Sequence, residues 1–283
     1  MNYYVIIPAH NEENYITHTL NSILEQTTLP KKVVIVNDNS TDTTEEIIDF
    51  FISKSPIFIK LNTSSSKEHM PGSKVINAFD KGLQLLDDSY DFLVKLDADI
   101  ILPKNYFETI SYIFKNNPKI GIAGGFAYEE SKEGEWLLNH PMNKDHVRGA
   151  FKAYTKTCFK AIGGLKNAMG WDTVDELLAQ YHGFEIYTKD LLKVKHLRPT
   201  GGAYSKKAKL LQGKAMYTLR YGFWITLIAS IKMALKQKKV ITFFHNLEGY
   251  KNAKSEKVYF LVSKEEGEFI RNLRWQNIRR KLF

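Results

Sequence analysis

Two aspartates separated by one residue follow an apolar run in the first half of the chain. Asp97-Ala98-Asp99 comes directly after Phe92–Leu96, and the alternation of side chains along an extended backbone places both carboxylates on one side. Such a pair can hold Mg²⁺ or Mn²⁺, and a cation that bridges a carboxylate and a diphosphate offsets the charge on a leaving nucleotide. The spacing alone is also typical of a solvated acidic loop. The position of the pair directly after a buried strand favours the metal site.

Two further polar sets follow predicted strands. Pro8-Ala9-His10-Asn11-Glu12 comes after Tyr4–Ile7, and Asp38 with its polar turn comes after Val33–Asn37. In an open α/β sheet, ligands bind beyond the carboxyl ends of the strands. The sequence therefore predicts that the three polar sets meet at one edge of a sheet.

The first 125 residues alternate between strand-like and helical patterns, which predicts an α/β domain. Continuous apolar strands, rather than alternating ones, indicate a mostly parallel sheet covered by helices on both faces. The last of these strands is predicted to end at Gly124-Gly125. The predicted strands are Tyr4–Ile7, Val33–Asn37, Ile57–Leu61, Phe92–Leu96 and Ile120–Ala123, and the predicted helices are Glu12–Gln26, one that carries Ile47, Ile48 and Phe51, Ser73–Leu86, and one that opens at Pro103.

In these segments the sequence resembles the family 2 glycosyltransferases, whose catalytic domain has the GT-A fold. Val5–Glu13 is similar to the opening strand and turn of that family, and Val34–Thr44 is similar to its base-binding segment. Asn37 stands where the family commonly has a second aspartate, so nucleobase recognition would fall on Asp38. The resemblance covers roughly residues 1–200 and implies an inverting transferase that uses a nucleotide-sugar donor and a divalent cation.

The resemblance also implies a catalytic base, because a carboxylate must take the proton of the attacking hydroxyl. In the family, a short acidic motif at the start of a helix supplies it, and Asp172 is our candidate, with Asp175 as the competitor. Trp171 stands where the family often has a glutamate. The other interpretation is that these acids only cap and charge the first turn of a helix over Thr173–Tyr181.

Four basic residues are further candidates for the site, and three of them have two interpretations. Lys74, after Pro71-Gly72-Ser73, either meets a phosphate at a helix start or lies beside an ordinary cap. His196 either completes the metal site, as a late histidine does in related enzymes, or is structural. Arg148 lies in the region where the family positions donor sugar and acceptor, and Arg198 suits either a diphosphate contact or a surface salt bridge.

The tail of the chain is basic and aromatic. We expect a catalytic domain over residues 1–204 and a helical region over 205–283, in which Lys206, Lys207, Lys209, Lys214 and Arg220 accompany Tyr217, Tyr221, Phe223 and Trp224. Phe269–Phe283 is predicted to form a cationic amphipathic helix. These features suit an anionic membrane surface, and packing on the catalytic domain, or on a second subunit as a homodimer, is the alternative.

The apolar stretch around Tyr221–Leu235 is interrupted by Lys232 and is too short to span a bilayer. With one cysteine, no visible signal peptide and a formal charge of +9, we expect a peripheral protein at the cytoplasmic face of the cell membrane. The charge also suits nucleic acid, but no recognised binding module accompanies it.

The predicted function is transfer of one sugar from a UDP- or GDP-sugar to a glycan or lipid-linked acceptor in surface polysaccharide assembly. A catalytically degenerate transferase that acts as a membrane scaffold is the alternative. Sugar-phosphate nucleotidyltransferases have a similar sheet, but they carry a glycine-rich basic loop where this chain has Pro8–Glu12.

Overall fold

The computed structural model describes residues 1–64, 73–139, 146–198 and 206–282, with side chains throughout these ranges except at 73, 206–209 and 281–282. Three predicted features lie outside the described residues: the Pro71-Gly72 lead into a helix, the domain boundary at residue 204, and the side chains of Lys206, Lys207 and Lys209. The described chain divides into two compact units. The first comprises Met1–His69, Lys74–Leu165 and His182–Thr200, and the second contains Lys166–Tyr181 and Gly201–Phe283.

Strands and helices alternate along the first unit, and helices make up the second. In chain order the elements are β1 (Tyr3–Ala9), α1 (Ile16–Leu24), β2 (Lys32–Asp38), α2 (Thr44–Lys54), β3 (Phe58–Thr63), α3 (Ser73–Leu83), β4 (Phe92–Leu96), β5 (Ile100–Ile101), α4 (Tyr106–Asn116), β6 (Ile120–Glu130), β7 (Trp136–Leu138), β8 (Phe151–Thr155), α5 (Lys156–Ala161), α6 (Trp171–Tyr181), β9 (Glu185–His196), α7 (Lys206–Thr218), α8 (Gly222–Gln237), α9 (Val240–Ser255) and α10 (Lys264–Leu282).

The strands within the described ranges form one mixed sheet in the order β3-β2-β1-β4-β8-β6-β9-β5, and β7 pairs with β6. β3, β2, β1 and β4 are parallel. β8 lies between β4 and β6 and is antiparallel to both, so β6, and with it the parallel β9, points the same way as β4. The predicted α/β architecture is confirmed, and the insertion of β8 makes the sheet less parallel than the apolar runs predicted.

The core lies where the continuous apolar strands meet the helices. The side chains of β2 from Val33 to Val36 are fully buried, as are Ile16, Leu20 and Ile23 on one face of α1. Full burial of a side chain of this size contributes about 1.5–3 kcal/mol, so this packing fixes the position of the strand ends.

Two helices begin later than the sequence predicted. α1 begins at Ile16, not at Glu12, because Asn11 has a left-handed φ of 53° and the Glu12 carbonyl closes a turn by accepting from the backbone N–H groups of Tyr15 and Ile16 at 2.9 Å. α4 begins at Tyr106, and Pro103 lies in the turn before it. The shift of α1 leaves residues 10–15 as a loop after β1.

The prediction that the last strand ends at Gly124-Gly125 is wrong, because β6 continues to Glu130. The two glycines are sites of close approach rather than a stop. A Cβ atom at Gly124 would lie 2.3 Å from Val147 Cγ1, and one at Gly125 would lie 2.2 Å from the Leu192 carbonyl oxygen. Only glycine admits the neighbouring chain at these positions.

The second unit is built from α6 to α10. α7 and α9 pack with their backbones in contact, since a Cβ atom at Gly213 would lie 1.9 Å from the Asn246 carbonyl oxygen. Within the ranges that the structure describes, no helix combines the length and apolar character that spanning a membrane requires.

The predicted amphipathic helix at the end of the chain is α10, and it takes part in the packing of the second unit. Ile270 is fully buried, Arg271 donates to the Arg220 carbonyl at 3.0 Å, and Arg274 donates to the Tyr221 hydroxyl at 2.7 Å. These two arginine heads are therefore engaged within the unit.

Candidate functional site

The carboxyl ends of β1, β2, β4 and β9 lie at one edge of the sheet. β1 is parallel to β2 and β4, β9 points in the same direction, and its last residue, His196, pairs with Ile100 just beyond Asp99. The site residues that were predicted at the ends of these strands therefore lie along this edge. We call it the carboxyl edge.

The loops after β1 and β2 are joined by hydrogen bonds. His10 Nδ1 donates to the Asp38 carbonyl at 2.7 Å, and the Asn11 side-chain oxygen accepts from the Thr41 backbone N–H at 2.8 Å. The Asn11 backbone N–H in turn donates to the Ser40 hydroxyl at 3.1 Å. These contacts use two of the predicted donor-binding residues to fix the loops, and they leave the His10 side chain exposed at the surface.

A buried threonine continues this connection. The Glu12 backbone N–H donates to the Thr44 hydroxyl at 2.7 Å, and Thr44, the first residue of α2, is fully buried. The start of α2 is thereby tied to the loop after β1.

Asn37 and Asp38 have different partners at the end of β2. The Asn37 amide donates to Asn62 at 3.1 Å and lies 3.5 Å from a Glu45 carboxylate oxygen, while its carbonyl oxygen accepts from the Ser40 backbone. A carboxylate at residue 37 could not donate either of the first two bonds. Asn37 is therefore suited to holding the loop, and Asp38, whose carboxylate accepts from Thr63 at 3.1 Å, remains the candidate for nucleobase recognition.

The Asp97-Ala98-Asp99 turn is held from below by α1. The Thr19 hydroxyl donates to the Ala98 carbonyl at 2.6 Å and accepts from the Ile100 backbone N–H at 3.0 Å. Ala98 itself is buried, and the Asp97 backbone N–H donates to the Ala150 carbonyl at 2.7 Å. Thr19 was not predicted as a site residue. A polar threonine on the inward face of a predicted helix was the feature that could have identified it.

Asp99 is the centre of a buried charge network. One of its oxygens, Oδ2, lies 3.3 Å from His196 Nε2 and 3.7 Å from Arg198 Nε. Arg198 also forms an ion pair with Glu12 and lies over the Tyr15 ring at 5.1 Å. The sequence alone is compatible with either a surface salt bridge or a diphosphate contact for Arg198. In the structure its guanidinium links the loop after β1 to the turn after β4.

The network shifts the pKa values of its two acids in opposite directions. Burial raises the pKa of Glu12 to about 7, with Arg198 opposing the shift and Asp99 and Asp97 adding to it. Burial also acts to raise the pKa of Asp99, but the hydrogen bond and charge of His196, followed by the charges of Arg198 and Lys95, hold that pKa below its usual value. Asp99 is thus kept ionised in the interior.

Two buried lysines lie on the strands that lead to this turn. Lys95 forms an ion pair with Asp97 and is 2% exposed, and Lys152, its register partner on β8, is fully buried. A buried ammonium group needs a counter-charge, so these residues favour anions near the turn. Neither was predicted, because their burial depends on the pairing of β4 with β8, which lie far apart in the sequence.

The acids of the turn fit a cation that is shared with a ligand. Among the described residues, no group of three His, Cys, Asp or Glu side chains could hold a metal ion. Two buried atoms nevertheless have no hydrogen-bond partner among these described residues, Asp99 Oδ1 and His196 Nδ1. Mg²⁺ is usually held by one or two carboxylates together with substrate phosphates, which suits Asp97 and Asp99. The metal role of His196 stays a prediction.

The remaining predicted site residues lie apart from this network in the chain. Pro8 is half-buried within β1, Lys74 is half-buried in the first turn of α3, and Arg148 is half-buried in the turn before β8. In the second unit, Asp172 is half-buried in the first turn of α6, whereas Asp175 is 1% exposed and accepts from the Glu176 backbone at 2.6 Å. Their roles stay predictions.

Comparison with known proteins identifies relatives of this chain. The family model described as "Glycosyl transferase family 2" matches residues 4–169. A poly-beta-1,6-N-acetyl-D-glucosamine synthase of Staphylococcus epidermidis is 31% identical over 121 residues, which are 42% of this chain and 27% of that protein. A synthase of the same name from Staphylococcus aureus is 29% identical over 120 residues. The chain thus spans about a quarter of the length of these relatives.

Two solved structures resemble the chain in fold. Residues 1–349 of S. aureus TarS in complex with UDP-GlcNAc superpose with a TM-score of 0.59 and 19% identity, over 77% of this chain and 67% of that one. The mannosyltransferase PcManGT of Pyrobaculum calidifontis, in complex with GDP-Man and Mn²⁺, gives a TM-score of 0.59 and 15% identity, over 100% and 81%. The predicted GT-A fold is confirmed. Because the family model matches more than half of the chain, and the acids of its motifs lie along one edge of a GT-A sheet, the protein belongs to glycosyl transferase family 2.

Proposed function

We propose that the chain is an inverting, metal-dependent glycosyltransferase that moves one sugar from a nucleoside diphosphate donor to an acceptor hydroxyl. One observation carries the proposal. At the carboxyl edge, Asp99 is held ionised by His196 and Arg198 and has a buried oxygen without a partner among the described residues. Such an atom suits a ligand that brings positive charge into the site.

The donor would lie along the carboxyl edge. We assign the nucleobase to Asp38 together with Pro8 near the end of β1 and His10 and Asn11 in the loop that follows. The diphosphate would be met by Arg198, whose side chain is 47% exposed, and it would replace one of the carboxylates that this residue now contacts. Lys74 and Arg148 are further candidates for phosphate and sugar contacts, and Glu12 would return to Arg198 when the nucleotide leaves.

A divalent cation would be held by Asp97 and Asp99 together with the donor phosphates, with His196 as a third candidate. Bound there, Mn²⁺ or Mg²⁺ offsets the negative charge that develops on the leaving diphosphate. The chain supplies the two carboxylates, and the Thr19 contacts fix the turn that carries them.

The transfer itself needs a base for the acceptor. The acceptor hydroxyl gives its proton to a carboxylate, its oxygen bonds to the anomeric carbon, and the bond from that carbon to the diphosphate breaks, which inverts the anomeric centre. We assign this base to Asp172 rather than Asp175, because Asp172 is half-buried and so reachable, whereas Asp175 is almost fully buried.

The proposed acceptor class and place of work rest on the names of the relatives and on the charge of the chain. The relatives are named as polysaccharide synthases, and the chain is strongly basic. We propose a glycan or lipid-linked acceptor in surface polysaccharide assembly, at the cytoplasmic face of an anionic membrane.

A thermal-shift screen tests the donor class. UDP-, GDP- and dTDP-sugars are each added with Mn²⁺ and with a chelator, and donor hydrolysis is followed in parallel. A ligand at one hundred times its Kd stabilises the fold by about 2.7 kcal/mol, or on the order of 5 °C in Tm for a domain of this size. A shift with a UDP- or GDP-sugar that needs Mn²⁺ supports the proposal. No shift with any sugar would contradict it and would favour the non-catalytic scaffold.

A further inference from the structure

Helix α8 buries polar side chains and exposes apolar ones. Its buried residues are Ile225, Thr226 and Ser230. The two hydroxyls are satisfied within the helix, since Thr226 donates to the Gly222 carbonyl and Ser230 to the Thr226 carbonyl, both at 2.7 Å. Of these three residues only Ile225 is apolar, whereas the buried face of a helix on a globular core is mostly apolar.

The exposed side of α8 carries a stripe of large apolar side chains. Trp224, Ile231 and Leu235 are 66%, 45% and 74% exposed. Residues seven and eleven positions apart return to nearly the same side of a helix at about 100° per residue. The stripe runs about 16 Å along the axis, at about 1.5 Å per residue.

Exposed apolar side chains also occur at the start of α9. Val240, Ile241 and Phe244 are each more than half exposed, and only Lys238 and Lys239 separate α9 from α8. Single exposed apolar residues are ordinary, but several of them close together in one hairpin indicate an interaction surface. We call the stripe and these three residues of α9 the hairpin face.

The charge of this segment identifies the covering partner. Residues 222–247 contain four lysines and no aspartate or glutamate, although 31 of the 283 residues of the chain are acidic. Lys236, Lys238 and Lys239 are exposed beside the hairpin face. Protein interfaces are depleted in lysine, whereas lysine and tryptophan beside an apolar face are typical of helices that lie on anionic lipid.

The positions of the lysines also determine the orientation. Lys238 and Lys239 form the turn between the helices, so insertion of the hairpin tip first would bury two ammonium groups in hydrocarbon. If α8 lies in the membrane plane, the stripe enters the acyl region while the long lysine side chains reach the headgroups.

We propose that the α8–α9 hairpin binds an anionic lipid leaflet by laying its hairpin face in the interface, parallel to the membrane. This deepens the membrane placement in the proposed function and rests on it for the site of work. The binding itself requires neither donor nor metal, so the two proposals fail separately.

Flotation of the full chain with lipid vesicles tests the proposal. Vesicles of phosphatidylcholine are compared with vesicles of phosphatidylcholine and phosphatidylglycerol. We expect wild type to float with the anionic vesicles only, and the double variant Leu235→Asp/Ile241→Asp to remain behind. The triple variant Lys236→Gln/Lys238→Gln/Lys239→Gln should partition roughly a hundredfold more weakly, at about a factor of five per lysine.

The matched control is Leu191→Asp. Leu191 lies in the first unit and is 74% exposed, the same fraction as Leu235, so this variant places one of the two added carboxylates at an equally exposed position elsewhere and should float like wild type. Circular dichroism and the donor-induced thermal shift verify that the double variant is folded.

Three outcomes would overturn the proposal. The first is that wild type floats with neither vesicle, and the second is that the double variant floats like wild type. The third is that sedimentation without lipid reveals a dimer that Leu235→Asp dissociates, which would make a second copy of the chain the partner. A donor shift that is absent from wild type while flotation persists would refute the proposed function and leave the lipid proposal standing.

Discussion

At the carboxyl edge the ionisable side chains of Asp99 and His196 are buried, whereas on α8 the large apolar side chains of Trp224 and Leu235 are exposed. The Asp99 carboxylate has its partners within the same unit, in Arg198 and His196. The exposed apolar groups gain their stabilisation only when a partner removes them from water. Both regions depart from the usual distribution, in which apolar side chains are buried and charged ones are exposed. Buried charge suits a site for a small charged ligand, whereas exposed apolar side chains suit a site for an extended apolar surface.

The Asp99→Asn change should have the largest effect, because it removes the charge around which the carboxyl edge is built. We expect Mn²⁺-dependent donor turnover to fall on the order of 10²–10³-fold, as when an electrostatic stabiliser of a transition state is lost. Turnover is measured as donor hydrolysis. The control Asp190→Asn, at an exposed position of β9, should keep full turnover, and an active Asp99→Asn protein would break the comparison.

Asn37→Asp tests whether the departure from the family pattern is structural. The new carboxylate would replace an amide that donates to Asn62 and would face Glu45, so the free energy of unfolding should fall by about 1–3 kcal/mol. Urea denaturation measures it. Asn105→Asp, at the exposed start of α4, should be neutral, and a stable Asn37→Asp protein would show that the amide is dispensable.

Glu12→Gln tests the pKa argument. Burial raises the pKa of Glu12 from 4.5 to about 7, so the protonated form is favoured in the folded state. The resulting stability is fully present below about pH 4.5 and is lost as the pH rises through 7. Without metal or donor, Glu12→Gln should match wild type at pH 5 and exceed its free energy of unfolding at pH 8 by on the order of 1–2 kcal/mol.

Denaturation curves at the two pH values measure this difference. Glu130→Gln, at an exposed position, should follow wild type at both. A Glu12→Gln protein that is less stable at pH 8 would mean that the ion pair with Arg198 outweighs the cost of burial.

Thr226→Val should have the smallest effect, and it sharpens the interpretation of α8. The Thr226 hydroxyl bonds only to a carbonyl of its own helix among the contacts described, so its loss should change the free energy of unfolding by less than about 1 kcal/mol. Flotation with anionic vesicles should be unchanged. Loss of flotation would indicate that lipid binding involves the side of α8 that carries Thr226, not the exposed stripe.

Much of the fold could be predicted because it rests on local patterns. Continuous apolar runs identified β1 to β4, and the polar residues after them identified the carboxyl edge. The antiparallel β8 was missed, since Phe151–Thr155 has no pattern that records its direction. Lys95 and Lys152 were also missed, because their burial depends on pairing between strands far apart in sequence.

The site and the tail show the same limit. Asp99 and His196 were named from the sequence, but the Glu12–Arg198 ion pair joins residues 186 positions apart and no local pattern predicts it. The tail was predicted to bind membrane through the basic and aromatic residues from Lys206 to Trp224 and through Phe269–Phe283. Arg271 and Arg274 are engaged within the second unit, whereas Trp224 belongs to the exposed apolar surface of α8. Periodicity identifies an apolar face and leaves open whether it points inward.

The central claim is that Asp97 and Asp99 hold a nucleotide through a shared cation, and calorimetric titration tests it most directly. The nucleotide whose sugar gives the largest thermal shift is titrated into wild type and into Asp97→Asn/Asp99→Asn, each with and without Mn²⁺. We predict saturable binding only for wild type with Mn²⁺. Equal affinity in the double variant, or binding to wild type that ignores Mn²⁺, would contradict the account.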